Sequence, residues 1–117
     1  MVKMAWNRSG KYNAVRVKLD GFTFDSKMEA RRYQELLMMG VGNLEIHPRF
    51  EIQIKGVKVC TVVLDFAYSP PGKDLEAVFD DVKGMDNALS RLKRKLVEAQ
   101  YGIKVNVITR PKKLKGG

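Results

Sequence analysis

Two aspartates and a lysine stand in stretches of the sequence that are otherwise apolar. Asp65 lies inside the apolar run 62–67, and Asp81 follows Ala-Val-Phe-Asp at positions 77–80, with Lys83 two residues further on. A buried carboxylate without a partner costs several kcal/mol, so a divalent cation or a lysine ammonium group has to compensate it. Carboxylate oxygens on neighbouring strands suit a hard cation. These residues therefore predict a site for Mg²⁺ or Mn²⁺, and not for zinc.

The strand that carries Asp81 also orients the lysine. Alternate residues of a strand face opposite sides of the sheet, so Asp81 and Lys83 share one face with Phe79, whereas Asp80 points to the other side. Asp-x-Lys alone is a weak signal, and a structural ion pair between neighbouring strands is the alternative interpretation. The second strand aspartate and the basic chain favour catalysis.

Strand pairing brings the two aspartates together in this prediction. A tight turn at Lys55-Gly56 predicts a hairpin in which Ile46 faces Asp65. A hairpin about the loop 69–74 predicts that Asp65 lies near Phe79, although the length of this loop allows the register to slip. Both carboxylates and Lys83 then converge on one side of the central strands.

Glu29 has two possible roles. Ser26 and Glu29 have the S-x-x-E spacing of a capping box, in which the glutamate reaches back to the start of its helix. On a helical wheel, however, Glu29 also lies beside Tyr33 and Leu36, inside the apolar stripe that packs against the sheet. An acid on that face can join Asp65 at a metal site.

The other metal-binding and nucleophilic residue types give weaker signals. His47 is predicted on the polar side of its strand, at the surface rather than at a metal, and the chain has no second histidine. Cys60 is the one cysteine, so no intramolecular disulfide and no cysteine-based metal site can form. It is predicted to be a small core residue.

The apolar periodicity predicts one mixed α/β domain, with helices packed against a sheet. A basic arm (1–12) precedes the domain (13–109), and a basic flexible tail (110–117) follows it. The predicted elements are a hairpin over 14–24, a helix over 25–39, strands over 44–54, 57–68 and 75–83, a helix over 86–101 and a strand over 103–108. The strand 57–68 is apolar on both faces, which indicates a central position.

Each predicted helix has an apolar stripe that should face the sheet. The inward residues are expected to be Ala30, Tyr33, Leu36 and Leu37 in the first helix, and Leu89, Leu92, Leu96 and Val97 in the second.

The charge balance indicates a polyanionic partner. The chain has 22 Lys and Arg against 13 Asp and Glu, a formal net charge of +9. Nucleic acid is the natural partner of such a surface, and a surface tuned only for solubility is the alternative. The expected nucleic-acid contacts lie in the arm and on the outer face of the second helix: Lys11, Arg91, Lys93, Arg94 and Lys95. No apolar run approaches the roughly 20 residues of a membrane span, so we expect a cytoplasmic protein without membrane contact.

The order of these residues resembles that of the PD-(D/E)XK nuclease superfamily, with Glu29 on a helix, Asp65 on a strand and Asp81-Val82-Lys83 on the next strand. With Lys-Tyr-Asn-Ala at 11–14 and Gly-Phe-Thr-Phe-Asp-Ser-Lys-Met-Glu-Ala at 21–30, the chain is similar to a small phage- and prophage-borne branch of it. That branch is related to phage endonuclease I-type Holliday-junction resolvases. The resemblance spans residues 11 to 108, and one departure is His47-Pro48, where Gln-Pro is expected.

The resemblance implies an αβββαβ core and hydrolysis of DNA phosphodiester bonds. It implies Mg²⁺, with Mn²⁺ as a substitute, bound by Asp65 and Asp81 with Glu29 as a further candidate ligand, and no small-molecule cofactor. Lys83 would orient or deprotonate the attacking water. The expected substrate is branched DNA in a bacterial host, and a junction with two symmetric cuts implies a homodimer. A general phage endonuclease or nickase and a non-catalytic nucleic-acid-binding module are the alternatives.

Overall fold

The computed structural model describes residues 15–109, so the predicted arm, the tail and Lys11 lie outside the described residues. The described part is a mixed α/β domain, as predicted. Its elements are β1 (Val17–Leu19), β2 (Phe22–Phe24), α1 (Lys27–Met39), β3 (Gly42–Ile46), β4 (Arg49–Ile54), β5 (Val57–Val63), β6 (Phe66–Ser69), β7 (Val78–Val82), α2 (Ala88–Tyr101) and β8 (Val105–Ile108). Within this range no helix has the length and apolarity needed to cross a membrane.

A four-stranded sheet forms the centre of the domain, in the order β3-β6-β7-β8. The pairs β3–β6 and β6–β7 are antiparallel, whereas β7–β8 is parallel. Parallel neighbours need a long crossover connection, and α2 supplies it. The chain order of the sheet strands and the two helices is therefore αβββαβ, and β1–β2 forms the predicted N-terminal hairpin.

Two predicted strands are each broken in the structure, which corrects the sequence prediction. The stretch 44–54 divides at His47-Pro48 into β3 and β4, and the stretch 57–68 divides at Leu64-Asp65 into β5 and β6. Pro48 has no amide to donate, and His47 has a φ of 56°, so a regular strand cannot continue through them. The breaks face each other, because His47 N donates to the Asp65 carbonyl at 2.9 Å and Leu64 N donates to the Pro48 carbonyl at 3.0 Å.

As a result, β4 and β5 form a hairpin separate from the main sheet. The predicted two-residue turn at Lys55-Gly56 is confirmed: both residues have positive φ, the geometry of the turn that matches strand twist. The central position predicted for the whole stretch 57–68 holds only for β6. Val57 and Val59 of β5 are 65% and 53% exposed.

The register of both hairpins differs from the prediction. A shift between Ile52 and Gln53 pairs Ile46 with Phe66 rather than with Asp65. In the second hairpin Phe79 pairs with Ala67 rather than with Asp65. This slip moves Asp65 along β7 towards Asp81, so the two carboxylates come closer than the predicted pairing would place them.

The helices begin and end where polar caps and glycines allow. Ser26 caps α1, and Gly40 ends it in the left-handed conformation. Ala30, Tyr33 and Leu36 are buried as predicted, whereas Leu37, at the edge of the stripe, is 50% exposed.

In α2 only the second half of the predicted stripe is covered, because that half packs against the hairpin and β8. Val97 is fully buried and Leu96 partly so, but Leu89 and Leu92 are 59% and 53% exposed, so their predicted burial is wrong.

Two apolar clusters meet at the central strands. One joins α1 and the N-terminal hairpin to the main sheet: Phe24, Ala30, Tyr33, Leu36, Phe66, Tyr68 and Val82. The other joins α2 to the β4–β5 hairpin and β8: Ile52, Val62, Leu64, Val97 and Val105. Leu64 belongs to the second cluster and Phe66 to the first, which places Asp65 at the boundary between them.

Candidate metal centre

Asp65 is fixed on β7 through both its backbone and its side chain. Asp65 N donates to the Asp80 carbonyl at 3.2 Å, and Val82 N donates to Asp65 Oδ2 at 2.6 Å. The break after β5 leaves this amide of β7 free for the carboxylate. One oxygen of Asp65 is therefore held in place by the main chain.

Glu29 and His47 complete a compact group around Asp65. One ligand atom of each residue can be chosen so that all three lie within 4.8 Å of one another. Glu29 is 7% exposed, and its Oε1 lies 3.4 Å from His47 Nε2. Oxygen ligands lie about 2.0–2.6 Å from Mg²⁺ or Ca²⁺, so two ligands of one ion are separated by up to roughly 4–5 Å. The spacing of these atoms therefore fits a single cation.

The structure shows the N-cap contact at Glu29, and it leaves the glutamate side chain free to be a candidate ligand. Ser26 Oγ accepts a hydrogen bond from Glu29 N at 3.1 Å, which is the N-cap contact of the helix. The carboxylate of Glu29 turns to His47 and thus towards the candidate metal centre. The helix is capped by Ser26, while the Glu29 side chain is available as a ligand.

Asp81 lies beside this group, and two positively charged side chains pair with its carboxylate. It is 5% exposed, with Lys83 Nζ at 3.6 Å and Arg94 Nη1 at 3.4 Å from its Oδ2. The predicted common face of Asp81 and Lys83 is therefore present. Asp81 is not a member of the three-residue group, but its carboxylate is close enough to raise the pKa of Asp65. The four predicted site residues occupy one region of the molecule.

The ionisation of the acids reflects this crowding. Burial raises the pKa of Asp65 to about 8, with further increases from the charges of Glu29 and Asp81, against the opposing hydrogen bond from Val82 N. Burial also raises the pKa of Glu29, partly offset by the hydrogen bond to His47. Excess negative charge of this kind is what a divalent cation neutralises, and the donor set of carboxylate oxygens and one imidazole is chemically suited to one.

We predict that Asp65→Asn stabilises the protein when EDTA removes divalent ions. Because the folded pKa of Asp65 lies above its ordinary value of 3.8, the unfolded chain ionises first, and stability falls as the pH rises from about 4 to about 8. Asparagine mimics the protonated acid and can still accept from Val82 N. Urea denaturation at pH 8.5 should show a gain of about 0.5–2 kcal/mol.

The gain from Asp65→Asn should shrink at pH 5, where the native acid is already protonated. Asp74→Asn in an exposed loop is the matched control and should show no such pH dependence. Equal stability of Asp65→Asn and wild type at both pH values would show that ionisation of Asp65 does not destabilise the folded protein.

Sequence reasoning missed His47, which was predicted to face solvent. Strict alternation along one continuous strand led to that prediction, and the break at His47-Pro48 invalidates it. The signal was the proline itself, since a proline inside a strand pattern indicates an irregularity. The side chain of His47 is 36% exposed, so one edge of the candidate metal centre is open to solvent.

The neighbouring Asp80 has a different role, as its opposite orientation predicts. It is fully buried, and its Oδ2 accepts from Arg32 Nε at 3.0 Å and from Tyr68 Oη at 3.0 Å. This set links α1 to β6 and β7. It is a structural ion pair that stabilises the position of β7, the strand that also bears Asp81.

The predicted outward orientation of one basic residue of α2 is wrong. Arg94 is 9% exposed and pairs with Asp86 at 2.6 Å as well as with Asp81, so it fastens α2 to the site instead of facing solvent. Arg94 was predicted to face outward because the apolar positions of α2 give no sign that buried acidic side chains pair with it. Arg91 and Lys95 are exposed as predicted, and Lys93 is half-buried.

The fold and the site together define a small mixed α/β protein with a donor set suited to a divalent cation. Residues 9–116 match the family model described as "Protein of unknown function (DUF1064)", and the chain belongs to this family. No curated protein and no solved structure matches the chain.

Proposed function

We propose that this protein is a metal-dependent DNA endonuclease. The observation that carries the proposal is the compact group containing Glu29 and Asp65, with Asp81 near enough to raise the pKa of Asp65 and Lys83 beside Asp81. The αβββαβ order, the net charge of +9 and the resemblance to the PD-(D/E)XK superfamily support it. A solely structural ion pair would not need three carboxylates in one place.

Each residue of the site has a defined part in this proposal. Asp65, Asp81 and Glu29 would hold Mg²⁺ or Mn²⁺, and when bound the ion supplies a Lewis acid for the phosphodiester. Val82 N fixes the orientation of Asp65, and Arg94 fixes that of Asp81. The Lys83 side chain, 27% exposed, can reach a phosphate oxygen or the attacking water. There it would orient or deprotonate the water and offset developing charge.

The proposed substrate is branched DNA, such as a Holliday junction, cut by a homodimer. The described domain contains two helices and no second lobe for sequence readout, which favours recognition of shape and backbone charge. The resemblance to junction resolvases also supports this substrate. The products would carry 5′-phosphate and 3′-hydroxyl ends. A general endonuclease or nickase would use the same site.

The decisive experiment uses end-labelled four-way junction, flap and linear duplex DNA, each with Mg²⁺, Mn²⁺ or EDTA. We expect divalent-dependent cleavage, with the junction cut in preference to the linear duplex. Equal cutting of all three would favour a general endonuclease. Binding without turnover on any DNA, unaffected by divalent ions, would contradict the proposal and favour a non-catalytic binding module.

DNA binding should depend on the exposed basic residues of α2. Arg91 and Lys95 are four residues apart and therefore lie on the same side of the helix. Arg91→Gln and Lys95→Gln should each weaken binding uniformly across sequences and reduce the slope of log K against log salt by about 1. Fluorescence anisotropy at several salt concentrations measures both effects.

The control for these variants is Lys73→Gln, which removes a positive charge from the exposed loop after β6. It should leave the salt slope unchanged. If Arg91→Gln and Lys95→Gln also leave the slope unchanged, α2 is not the DNA-binding face.

A further inference from the structure

His47 is the only histidine of the chain, and the proposed function does not use it. Its imidazole lies with Glu29 and Asp65 in the group whose ligand atoms fall within 4.8 Å of one another. A nitrogen donor at a site otherwise built of carboxylates changes which cation the site prefers.

The backbone holds His47 in an unfavourable conformation at this position. Its φ of 56° lies in the left-handed region, and the following Pro48 disfavours any conformation other than an extended one. Such strain persists where the surrounding structure enforces it, most often at functional sites. Here the enforcing contacts are the paired hydrogen bonds to the Leu64-Asp65 segment. The strained residue is thereby kept next to Asp65.

A hydrogen bond between His47 and Glu29 does not by itself account for the arrangement. The Nε2–Oε1 distance of 3.4 Å is long for such a bond, because strong charge-assisted bonds are about 2.7–2.9 Å. A carboxylate oxygen of Asp65 also lies within 4.8 Å of the imidazole, and a single N–H cannot donate fully to both carboxylates. Three groups that carry lone pairs and lie this close together are better matched to a cation.

We propose that His47 is a nitrogen ligand of the cation at this site, and that it makes the site bind Mn²⁺ in preference to Mg²⁺. The inference rests on the proposed cation site of the nuclease. Mg²⁺ demands oxygen ligands and gives up its water reluctantly. Mn²⁺ accepts carboxylates and belongs to the first-row transition ions, whose affinity for nitrogen donors exceeds that of Mg²⁺. An imidazole added to the carboxylates of this site therefore favours Mn²⁺ over Mg²⁺.

The test is pulsed electron paramagnetic resonance of Mn²⁺ bound to the untagged full-length protein. An imidazole ligand imposes ¹⁴N modulation on the Mn²⁺ echo, and the single histidine makes the assignment unambiguous. We expect this modulation in the wild type and its loss in His47→Gln, which substitutes an oxygen donor. Calorimetry with Mn²⁺ and Mg²⁺ should show that the preference for Mn²⁺ falls by about tenfold or more in His47→Gln.

A second variant guards against misfolding. Asparagine tolerates the left-handed conformation better than most residues, so His47→Asn should fold even if His47→Gln does not. Loss of the ¹⁴N modulation in either folded variant, with Mn²⁺ still bound more weakly by the carboxylates, supports the inference.

The outcomes separate this inference from the proposed nuclease. Mn²⁺ binding to the wild type without ¹⁴N modulation, or an unchanged preference in His47→Gln, overturns the role of His47 and leaves a carboxylate nuclease site intact. ¹⁴N modulation in a protein that cuts no DNA sustains the role of His47 and overturns the nuclease. Failure of the wild type to bind either ion overturns both.

Discussion

Replacing Asp81 with asparagine should lower the rate of DNA cleavage by about 10³-fold, the upper end of the loss seen when one electrostatic group is removed from a hydrolytic site. Asparagine keeps the shape of the side chain, so packing beneath α2 is retained. It removes the negative charge that would hold the cation and that now balances Lys83 and Arg94. Single-turnover cleavage of a labelled four-way junction with saturating Mg²⁺ measures the effect.

DNA binding by Asp81→Asn should remain near the wild-type level, because the loss concerns the reaction and not the basic surface. Glu76→Gln, at an exposed acid of the loop before β7, removes an equal charge and should cut normally. A wild-type cleavage rate in Asp81→Asn would mean that Asp81 has only a structural role, as the partner of Arg94 that joins β7 to α2.

Lys83→Met should lower cleavage by about 10²–10⁴-fold, the contribution typical of a positioned proton-transfer group. Methionine keeps the aliphatic length of lysine but has no charge and no N–H donors. The amine lies 3.6 Å from Asp81 Oδ2, so it adjoins the cation site without offering a ligand itself. We therefore expect Mn²⁺ binding, measured by calorimetry, to persist or strengthen while turnover collapses.

The combination of retained metal binding and lost turnover distinguishes a catalytic Lys83 from a structural one. Lys73→Met, in the exposed loop after β6, is the matched control and should leave both properties unchanged. Unaltered cleavage in Lys83→Met would mean that Lys83 only pairs with Asp81 and takes no part in the reaction.

Periodicity in the sequence predicted a hairpin, a helix, three strands, a second helix and a last strand, because helix and strand patterns are local. The N-terminal hairpin, the Ser26 cap and the Gly40 end of α1 were predictable for the same reason. The two strand breaks were not, since each depends on the other. The conformation of His47 is compensated by hydrogen bonds from a segment distant in sequence, and no single stretch encodes that pairing.

The candidate site was predictable where it depends on burial of charge and not where it depends on register. Asp65 and Asp81 are conspicuous because an acid inside an apolar strand needs a partner. Their actual proximity results from a register that differs from the predicted one. Arg94 shows the reverse error: a buried arginine looks like a surface arginine in the sequence, because only its partners, Asp86 and Asp81, reveal its position.

The chain passes twice between the main sheet and the β4–β5 hairpin, and both passages occur at the same place. His47-Pro48 leads out to the β4–β5 hairpin and Leu64-Asp65 leads back, with two backbone hydrogen bonds joining outgoing and returning segments. This neck also carries both attachments of Asp65 to β7, the bond from Asp65 N to the Asp80 carbonyl and the bond from Val82 N to Asp65 Oδ2. The base of the hairpin is therefore clamped to the strand that bears Asp81. A tilt of the hairpin has to bend the chain beyond the neck, so it leaves the spacing of Asp65 and Asp81 unchanged.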